Sequence, residues 1–286
     1  MNISSLADYS FNELFEAFSE AFADYETQWN KTQLHAMLQR RGFDAKCSFA
    51  AVEAERIVAF TFNGIGNFNG KRSAYDTGTG TLKKYRGQGM ASQIFTHSLP
   101  YLREACIEQY VLEVLQHNTA AVSVYQKQGF NITREFYYSN QSCNLIQNPL
   151  KQPASDYEIK PFNVQELPTL SHFRDFVPSW QNDFASLLRA NDTIHCYILR
   201  VEGETVGYVA FEPASGDIAQ LAIRPDLRRQ GYGSLLLQKA LDENQSDIVK
   251  VINTETTNEP LRLFLQAKNI PSRGKQFEMI LPLNEK

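Results

Sequence analysis

The sequence predicts an α/β fold built from two similar domains in tandem. Its 286 residues are many for one hydrophobic core and sufficient for two. Segments with strand periodicity alternate with segments of helical periodicity along the chain. The same order of elements, including a glycine turn, returns in the second half, so the sequence contains a large internal repeat.

The first half begins with a helix and continues mainly with strands. Apolar side chains recur at helical spacing from Phe11 to Phe22, which predicts an amphipathic helix with an aromatic core face. Two apolar runs surround a polar turn in "CSFAAVEAERIVAFTFNGIG", and "SAYDTGTGTL" is a further strand. A glycine turn leads into a helix from about Met90. Then follow a buried strand, "YVLEVL", a short helix, "NTAAVSVYQKQGF", that stops at Gly129, and a closing strand, "ITREFYY".

A linker is predicted at 149–156, because this region contains prolines and has no apolar periodicity. The predicted domains are therefore residues 1–148 and 157–286. The second domain repeats the order of the first with the strand "YEIKPF", a partly helical segment, the hairpin "HCYILRVEGETVGYVAFEP", the strand "DIAQLAIRP", the turn and helix "RRQGYGSLLLQKALDEN", the strand "IVKVINTE", the helix "NEPLRLFLQAKNI" and the closing strand "FEMILPL".

Composition excludes several classes of function. A formal net charge of −4 and a pI near 5.8 argue against a general nucleic-acid binder, which would carry a basic surplus. The chain has no long apolar run, and its acidic beginning is unlike a signal peptide, so we expect a cytoplasmic protein without a membrane partner. The four cysteines and five histidines are scattered, so we expect no metal site.

The tripeptide Asp76-Thr77-Gly78 is found in aspartic proteases, but a protease is not predicted. Such a site needs two copies so that two carboxylates share one proton, and this chain has one. Here the tripeptide also lies directly before a glycine turn and a helix. The protease interpretation is therefore rejected.

The glycine turn "YRGQGMA" predicts an anion-binding site. A strand that runs into such a turn and then a helix presents backbone N–H groups at the helix N-terminus, where the helix dipole favours negative charge. Glycines let the backbone approach the anion without a Cβ atom in the way. Arg86 to Ala91 correspond to Arg228 to Gly233, 142 positions later, so the turn occurs twice. The pattern is neither a Walker A loop nor a dinucleotide fingerprint.

Taken together, these segments resemble motifs A and B of the GNAT N-acetyltransferase superfamily. The likeness rests on "LKKYRGQGMA", "YVLEVL" and "NTAAVSVYQKQGF", and on "IAQLAIRPDLRRQGYGSLLL" in the second half. It covers both halves and implies two tandem GNAT-like domains, each with a mixed, mostly antiparallel central sheet flanked by helices. The implied cosubstrate is acetyl-CoA.

The resemblance implies a set of cofactor-binding positions. In this superfamily the motif A turn binds the pyrophosphate of acetyl-CoA through backbone amides, and the pantetheine arm lies beside the preceding strand. An Asn follows near the cofactor. The corresponding residues are Leu82, Arg86, Gly87, Gln88, Gly89, Met90, Ala91 and Asn118 in the first domain, and Ile223, Arg228, Arg229, Gln230, Gly231, Tyr232 and Gly233 in the second.

Two residues match catalytic roles. By resemblance, Tyr125, seven positions after Asn118, is the general acid that protonates the departing CoA thiolate. A tyrosine with a pKa near 10 keeps its proton at neutral pH and can donate it. Two acids are placed to accept the proton of the amine, Asp76 before the turn and Glu113 on "YVLEVL". The resemblance favours Asp76, because family members often use a carboxylate on that strand, and Glu113 is expected to face outward. The alternatives are that Tyr125 is a core residue with its hydroxyl at the rim, and that Asp76 caps local backbone N–H groups.

The second domain departs from the family pattern. Seven positions after Asn258 stands Leu265, which cannot donate a proton, so this domain is expected to be catalytically degenerate. The predicted function is acetyl transfer from acetyl-CoA to a primary amine of a small molecule or peptide, by direct attack in the first domain. The alternative is a non-catalytic acyl-CoA-binding or regulatory protein.

Overall fold

The computed structural model of the protein describes residues 1–24, 28–151 and 155–283. Contacts within the chain define two compact units. The first unit holds Met1–Thr133 together with the end of the chain from Glu278 onward, and the second holds Arg134–Phe277. Within the described part of the chain, no helix is both long and apolar enough to cross a membrane.

The first unit contains the predicted strands and helices in the predicted order, together with two elements that were not predicted, one strand (β1) and one helix. Its strands are β1 (Asn2–Ser5), β2 (Phe49–Glu53), β3 (Arg56–Phe68), β4 (Lys71–Thr81) and β5 (Gln109–Leu115). Its helices are α1 (Phe11–Ala21), α2 (Lys31–Arg41), α3 (Met90–Glu104) and α4 (Thr119–Lys127). The unpredicted helix is α2, whose polar composition hides its two buried leucines, Leu34 and Leu38.

The strands of the first unit form a mixed sheet in the order β1-β2-β3-β4-β5. Neighbours among the first four are antiparallel, while β4 and β5 are parallel. The parallel pairing covers only Ser73–Tyr75 against Gln109–Val111. Because β4 continues to Thr81 without β5 beside it, the two strands diverge after Tyr75.

Helix α1 begins where its sequence predicts. Ser10 accepts a hydrogen bond from the backbone N–H of Glu13, and the Glu13 side chain accepts one from Ser10, which completes a capping box. The aromatic stripe of α1 packs onto the sheet: the Phe18 and Phe62 rings stack with centroids 6.4 Å apart. The aromatic face is therefore core, as predicted.

A β-bulge interrupts the pairing of β3 with β4 close to the end of the parallel pairing. Phe62 lies opposite Gly78 and Asn63 opposite Asp76, so Thr77 is the extra residue. Arg41, the last residue of α2, donates from its guanidinium to the backbone carbonyl of Thr77 at 2.9 Å. Bulges bend a strand and re-aim the side chains beside them.

The second unit repeats this order, with short 3₁₀ segments (Val164–Phe173 and Trp180–Asn182) in place of α1 and α2. Its strands are β6 (Asn131–Ser142, in this unit from Arg134), β7 (Tyr157–Pro161), β8 (His195–Val201), β9 (Glu204–Glu212), β10 (Asp217–Ile223) and β11 (Ile248–Glu255). Its helices are α5 (Phe184–Arg189), α6 (Tyr232–Glu243) and α7 (Glu259–Ala267).

The sheet of the second unit has the order β6-β11-β10-β9-β8-β7. Only β10 and β11 are parallel, and they pair at a single register position, Asp217 with Lys250. A bulge falls at Ala219, between Ile218 and Gln220. Ala219 follows Thr77 by 142 positions, the same offset that relates Arg228 to Arg86, so both units carry the bulge at the same place.

The closing strands are exchanged between the units. From Arg134, β6 belongs to the second unit, where it pairs with β11. The last strand, β12 (Ser272–Pro282), belongs to the first unit from Glu278 onward. The boundary between the two sequence repeats therefore differs from the boundary between the two contact-defined units. The boundary at 149–156 stays a prediction, and residues 152–154 of that linker lie outside the described residues.

Gly64→Ala is expected to destabilise the protein by about 1–3 kcal/mol, because a methyl group must be forced into a packed site. A Cβ atom at Gly64 would lie 2.0 Å from the backbone oxygen of Arg41. Gly78→Ala is the matched control on the neighbouring strand, since its Cβ would meet only the Phe18 ring at 3.9 Å. Urea unfolding of both variants measures the difference, and equal destabilisation would contradict the prediction.

Candidate functional site

The predicted anion turn of the first unit has the backbone geometry of an anion-binding site. Gly87 and Gly89 have φ values of 77° and 73°, in the left-handed region that favours glycine. Helix α3 then begins at Met90 with no side chain capping its N-terminus. A Cβ atom at Gly87 would meet nothing within 4 Å, so the space beside the turn is open. These features suit a pyrophosphate held by backbone N–H groups.

The Arg86 side chain holds the turn against α1. Its guanidinium donates to the backbone carbonyls of Thr81 at 3.2 Å and Ala21 at 2.7 Å, and it pairs with Asp24 at 3.1 Å. The Gln88 side chain also bonds to nearby backbone. The Arg86 backbone N–H itself donates to the Lys83 carbonyl at 3.3 Å, so a ligand at this turn is left with the N–H groups that follow Arg86.

The turn of the second unit is built in the same way. Arg228 donates to the backbone carbonyl of Ile223 at 3.0 Å and pairs with Asp175 at 3.0 Å. Gly231 has a φ of 97° and precedes α6, which also lacks a side-chain cap. Arg229 adopts a φ of 65°, a conformation that is unfavourable for a side chain other than glycine.

Three further residues of the second unit's turn, Gln230, Tyr232 and Gly233, have different environments. Gln230 is exposed, whereas the Tyr232 side chain is buried in the core. A Cβ atom at Gly233 would lie 3.3 Å from the Phe264 ring, so glycine there permits close packing of α6 against α7. Of the three residues, Tyr232 and Gly233 line the cavity of this unit.

A cavity of about 620 Å³ lies in the second unit, bounded by the turn, α7 and the ends of β10 and β11. Lys151 and Lys268 both line it, with Arg228 and Arg229. Burial, and then the nearby Lys151 charge, lower the pKa of Lys268. A cavity in which cations face one another suits an anionic ligand.

Asn118 and Asn258 each begin a helix. The side-chain oxygen of Asn118 accepts a hydrogen bond from the backbone N–H of Ala121 at 3.2 Å, at the start of α4. Asn258 makes the same bond to Leu261 at 3.2 Å, at the start of α7. Each side chain thus caps a helix, which leaves its amide nitrogen for a ligand.

The strand residues named for the pantetheine arm use their own backbone within the fold. The Leu82 N–H donates to the Val58 carbonyl at 2.9 Å, and its carbonyl accepts from Tyr85 at 2.8 Å. The Ile223 carbonyl accepts the Arg228 side chain. Along the described part of β4, the edge beyond Tyr75 is not paired with β5. A strand edge of this kind offers its backbone groups to an extended ligand.

The structure brings the two predicted catalytic residues together. The Tyr125 hydroxyl on α4 donates to Oδ2 of Asp76 on β4, at 3.4 Å. The bulge at Thr77 and the divergence of β4 from β5 leave room for this contact. The Tyr125 ring also packs edge-on against Phe130, with centroids 5.6 Å apart. Residues 49 positions apart in the sequence therefore meet at one point.

Burial shifts the pKa values of both groups. Desolvation raises the pKa of Asp76 to about 6, although hydrogen bonds from Thr79 and Tyr125 oppose the shift. Burial and the neighbouring Asp76 carboxylate raise the pKa of Tyr125 well above its usual value. At neutral pH the site therefore holds an ionised carboxylate beside a protonated phenol.

Sequence reasoning missed the residues that surround Asp76. Thr79 Oγ1 donates to both carboxylate oxygens, at 3.1 and 2.9 Å, and lies 3.2 Å from the hydroxyl of Thr61 on β3. The Tyr110 hydroxyl donates to the side-chain oxygen of Asn63 beneath them. The alternating threonines of "TGTGT" were a signal that one face of β4 is polar.

The second unit lacks this pair. Leu265 occupies the helical position of Tyr125, as the sequence predicts, and it is buried in the core. Ile218 stands 142 positions after Asp76 and is also buried. The second unit thus has the turn and a cavity, with apolar side chains at the positions where the first unit has Tyr125 and Asp76. Among the described residues, no His, Cys, Asp or Glu side chains cluster as a metal site requires.

The sequence model of the acetyltransferase (GNAT) family matches residues 11–130 and again residues 162–267. The chain belongs to this family. Each match lies inside one contact-defined unit, so the predicted tandem of two GNAT domains is confirmed. The prediction of an acyltransferase is confirmed by the same family membership. GNAT enzymes generally use acetyl-CoA and act on amine-bearing acceptors.

Solved structures share the fold at low sequence identity. A tandem GNAT protein from the clavulanic acid biosynthesis pathway is 13% identical with a TM-score of 0.73, over 100% of this chain and 99% of that one. A GCN5-related N-acetyltransferase from Sphaerobacter thermophilus is 11% identical with a TM-score of 0.73, over 99% and 96%. One from Anabaena variabilis is 16% identical with a TM-score of 0.61, over 99% and 73%. A comparison with curated sequences finds no significant match.

Asp76→Asn is expected to raise the thermal unfolding midpoint more at pH 7 than at pH 4. The folded protein holds the Asp76 proton with a pKa of about 6, more tightly than the unfolded chain, where the value is 3.8. Wild-type stability therefore falls as the pH rises from about 4 to about 6, and the variant lacks this loss. Scanning calorimetry across this range measures the difference, which must grow with pH; a constant difference would contradict the assignment.

Proposed function

We propose that the protein transfers the acetyl group of acetyl-CoA to a primary amine, and that the first unit is the working site. The observation that carries this proposal is the hydrogen bond between Tyr125 and Asp76. Acetyl transfer to an amine needs a group that takes a proton from nitrogen and a group that gives a proton to sulfur. The first unit holds such a pair, and the second has Leu265 and Ile218 instead.

Asp76 is the proposed general base. An ammonium ion has no lone pair to attack with, so a proton must leave the amine. A base works best when its pKa lies near the operating pH, because it is then both ionised and basic. Burial raises the pKa of Asp76 to about 6, which meets this condition.

Tyr125 is the proposed general acid. Negative charge collects on the CoA sulfur as the thioester bond breaks, and a nearby hydroxyl can protonate it. Burial keeps the pKa of Tyr125 high, so the phenol is protonated at neutral pH before the reaction. Its position on α4 is fixed by the Asn118 cap at the start of the helix and by packing against Phe130.

Acetyl-CoA supplies the acetyl group, and the chain supplies the places to hold it. The backbone of Gly87 to Ala91 fits the pyrophosphate, because its glycines have positive φ and α3 begins without a cap, while the Arg86 N–H is already bonded to Lys83. The open edge of β4 beyond Tyr75, near Leu82, fits the extended arm. The side-chain amide nitrogen of Asn118 is a further group assigned to contact acetyl-CoA.

The proposed acceptor is a small molecule or a peptide with a primary amine. The aromatic face of α1 approaches β4 beside the catalytic pair: the Phe18 ring lies 3.9 Å from where a Cβ atom of Gly78 would be. An aromatic wall next to a carboxylate suits an organic cation.

A non-catalytic role in binding acyl-CoA is the second candidate, and observations on the second unit favour it there. This unit combines the turn from Arg228 to Gly233 with a cavity of about 620 Å³ that Lys151 and Lys268 line. Because Leu265 cannot donate a proton, a ligand bound there would not react by the route proposed for the first unit. The whole chain would then contain one working site and one binding site.

Tyr125→Phe is expected to lower kcat by roughly 10- to 1,000-fold, the usual scale for a lost general acid, with little change in acetyl-CoA affinity. Thiol release from acetyl-CoA, measured with a diamine, an amino acid, an aminoglycoside and a short peptide, provides the assay. Tyr101→Phe is the control, because it removes an exposed hydroxyl from the same unit. An unchanged kcat would remove Tyr125 from the mechanism.

Gly89→Glu is expected to abolish acetyl-CoA binding to the first unit, because the new carboxylate repels the pyrophosphate and the backbone has a φ of 73°. Gly231→Glu is expected to do the same in the second. Matched controls are Gly70→Glu and Gly203→Glu, whose φ values are 77° and 83° and where an added Cβ atom meets nothing within 4 Å. They carry the same charge and strain away from the turns.

Titration calorimetry with acetyl-CoA counts the sites. We expect two sites in the wild type and one in each turn variant, with acetyl transfer lost only in Gly89→Glu. Transfer lost in Gly231→Glu and kept in Gly89→Glu would move the working site to the second unit. No binding in the wild type would overturn the proposed function.

A further inference from the structure

Four side chains of the first unit form one continuous chain of hydrogen bonds. The Thr61 and Thr79 hydroxyls lie 3.2 Å apart, on neighbouring strands. Thr79 donates to Asp76 Oδ2 at 2.9 Å, and Tyr125 donates to the same oxygen at 3.4 Å. The chain thus crosses from β3 through β4 to α4. Its third member, Asp76, is a carboxylate, which can both accept and return a proton.

The second unit replaces all four side chains with aliphatic ones. Thr61 pairs with Thr79 across β3 and β4, and at the equivalent place Val209 pairs with Leu221 across β9 and β10. The positions of Asp76 and Tyr125 are occupied by Ile218 and Leu265, as described above. These four aliphatic side chains pack in one apolar cluster. All four hydrogen-bonded residues are therefore present in the first unit, and all four are replaced in the second. This is expected for residues that act together.

We propose that Asp76 and Tyr125 form a proton relay, held in position by Thr79 and Thr61, in which Asp76 passes the proton of the amine directly to Tyr125. The relay rests on the proposed acetyl transfer and specifies where the proton travels. Thr79 is a positioning residue that orients the carboxylate, and Thr61 orients Thr79. Only Asp76 and Tyr125 exchange protons with the reacting atoms.

The relay balances the reaction of a neutral amine with one proton passed from nitrogen to sulfur; an ammonium ion first loses its extra proton to solvent. The amine nitrogen forms a bond to the acetyl carbon, and its proton goes to Asp76. The carbon–sulfur bond breaks and its electron pair stays on sulfur, which takes the Tyr125 proton. Asp76 then gives its proton to the phenolate oxygen of Tyr125. Both side chains return to their starting states, and the products are the amide and the free thiol of CoA.

Geometry favours this route. The nitrogen that loses a proton and the sulfur that gains one are bound to the same carbon during transfer, so the groups that serve them must lie close together. Asp76 and Tyr125 meet this requirement, because their oxygen atoms are 3.4 Å apart. A direct hydrogen bond also removes any need for an ordered water between them.

The acidities support the same conclusion. A thiol has a pKa near 8.5 and a phenol one near 10, so tyrosine alone is a weak acid for a thiolate. Burial and the Asp76 charge raise the pKa of Tyr125 still further. When Asp76 has taken the amine proton, its charge is gone and it is itself a proton donor to the phenolate. Proton donation from Asp76 to the Tyr125 phenolate therefore makes Tyr125 an adequate acid for the CoA thiolate.

Other ionisable groups surround the carboxylate and contribute to its titration. Those whose charge acts on Asp76, or whose pKa it shifts, are Arg41 on α2, Tyr75 on β4, Tyr110 on β5 and Tyr125 on α4. None of them is altered in the variants of Thr79, so a change in titration in those variants reports on the hydroxyl.

The first part of the test needs no acceptor. The ¹³C resonance of the Asp76 carboxyl, assigned with Asp76→Asn, is titrated in the full chain. Thr79→Val is expected to move this titration upward by about one to two pH units, the effect of one hydrogen bond to a charged group. Thr79→Ser keeps the hydroxyl and must restore the wild-type titration. Thr96→Val on the exposed face of α3 is the control. An unmoved titration in Thr79→Val would overturn the role of Thr79.

The second part measures proton transfer in the wild type, Asp76→Asn, Tyr125→Phe and the double variant, with acetyl-CoA and the amines assayed above. A shared relay predicts that the double variant loses no more activity than the worse single variant. Losses that multiply would show independent acid and base and would overturn the relay, while leaving acetyl transfer intact. No turnover in the wild type would overturn the proposed function and the relay with it, whatever the titration shows.

Discussion

The early end of the pairing between β4 and β5 is the constraint on which the site depends. The two parallel strands share hydrogen bonds only up to Tyr75, and the bulge at Thr77 follows at once. Asp76 lies between these two features. At this point β4 is no longer paired with β5, and the bulge bends it where it pairs with β3. The Asp76 carboxylate can therefore be buried and still accept a hydrogen bond from Tyr125, which lies on α4. If the pairing continued, β5 would close the gap in which Asp76 and Tyr125 meet.

The same constraint acts in the second unit with a different chemical result. There β10 and β11 pair at one position, the bulge recurs at Ala219, and a cavity opens beside the glycine turn. Backbone geometry is thus common to both units, while the side chains on it differ in kind. Aliphatic residues stabilise the second unit by burial. Desolvating Asp76 opposes the stability of the first, as expected where a function requires a buried carboxylate.

Much of the fold was predictable because it is written in local patterns. The periodicity of α1 and the glycine turns each involve residues close in sequence. The repeat over 142 positions is visible because these local patterns recur, and the family matches confirm the tandem arrangement. Helix α2 was missed because its apolar residues are few. The exchange of closing strands was also missed: β6 follows the first repeat in sequence, but its partner β11 comes from the second. Pairing between distant strands leaves no local signal.

The sequence by itself determined the family, the two turns and the loss of a proton donor at Leu265, because these depend on residue type at fixed spacing. It also named Tyr125 and Asp76, each for a separate reason. Only the tertiary structure decided that these two side chains touch, that burial raises the pKa of Asp76 to about 6, and that Thr79 holds its carboxylate. Desolvation and hydrogen bonding depend on which atoms surround a group, and those atoms come from strands and a helix far apart in the chain.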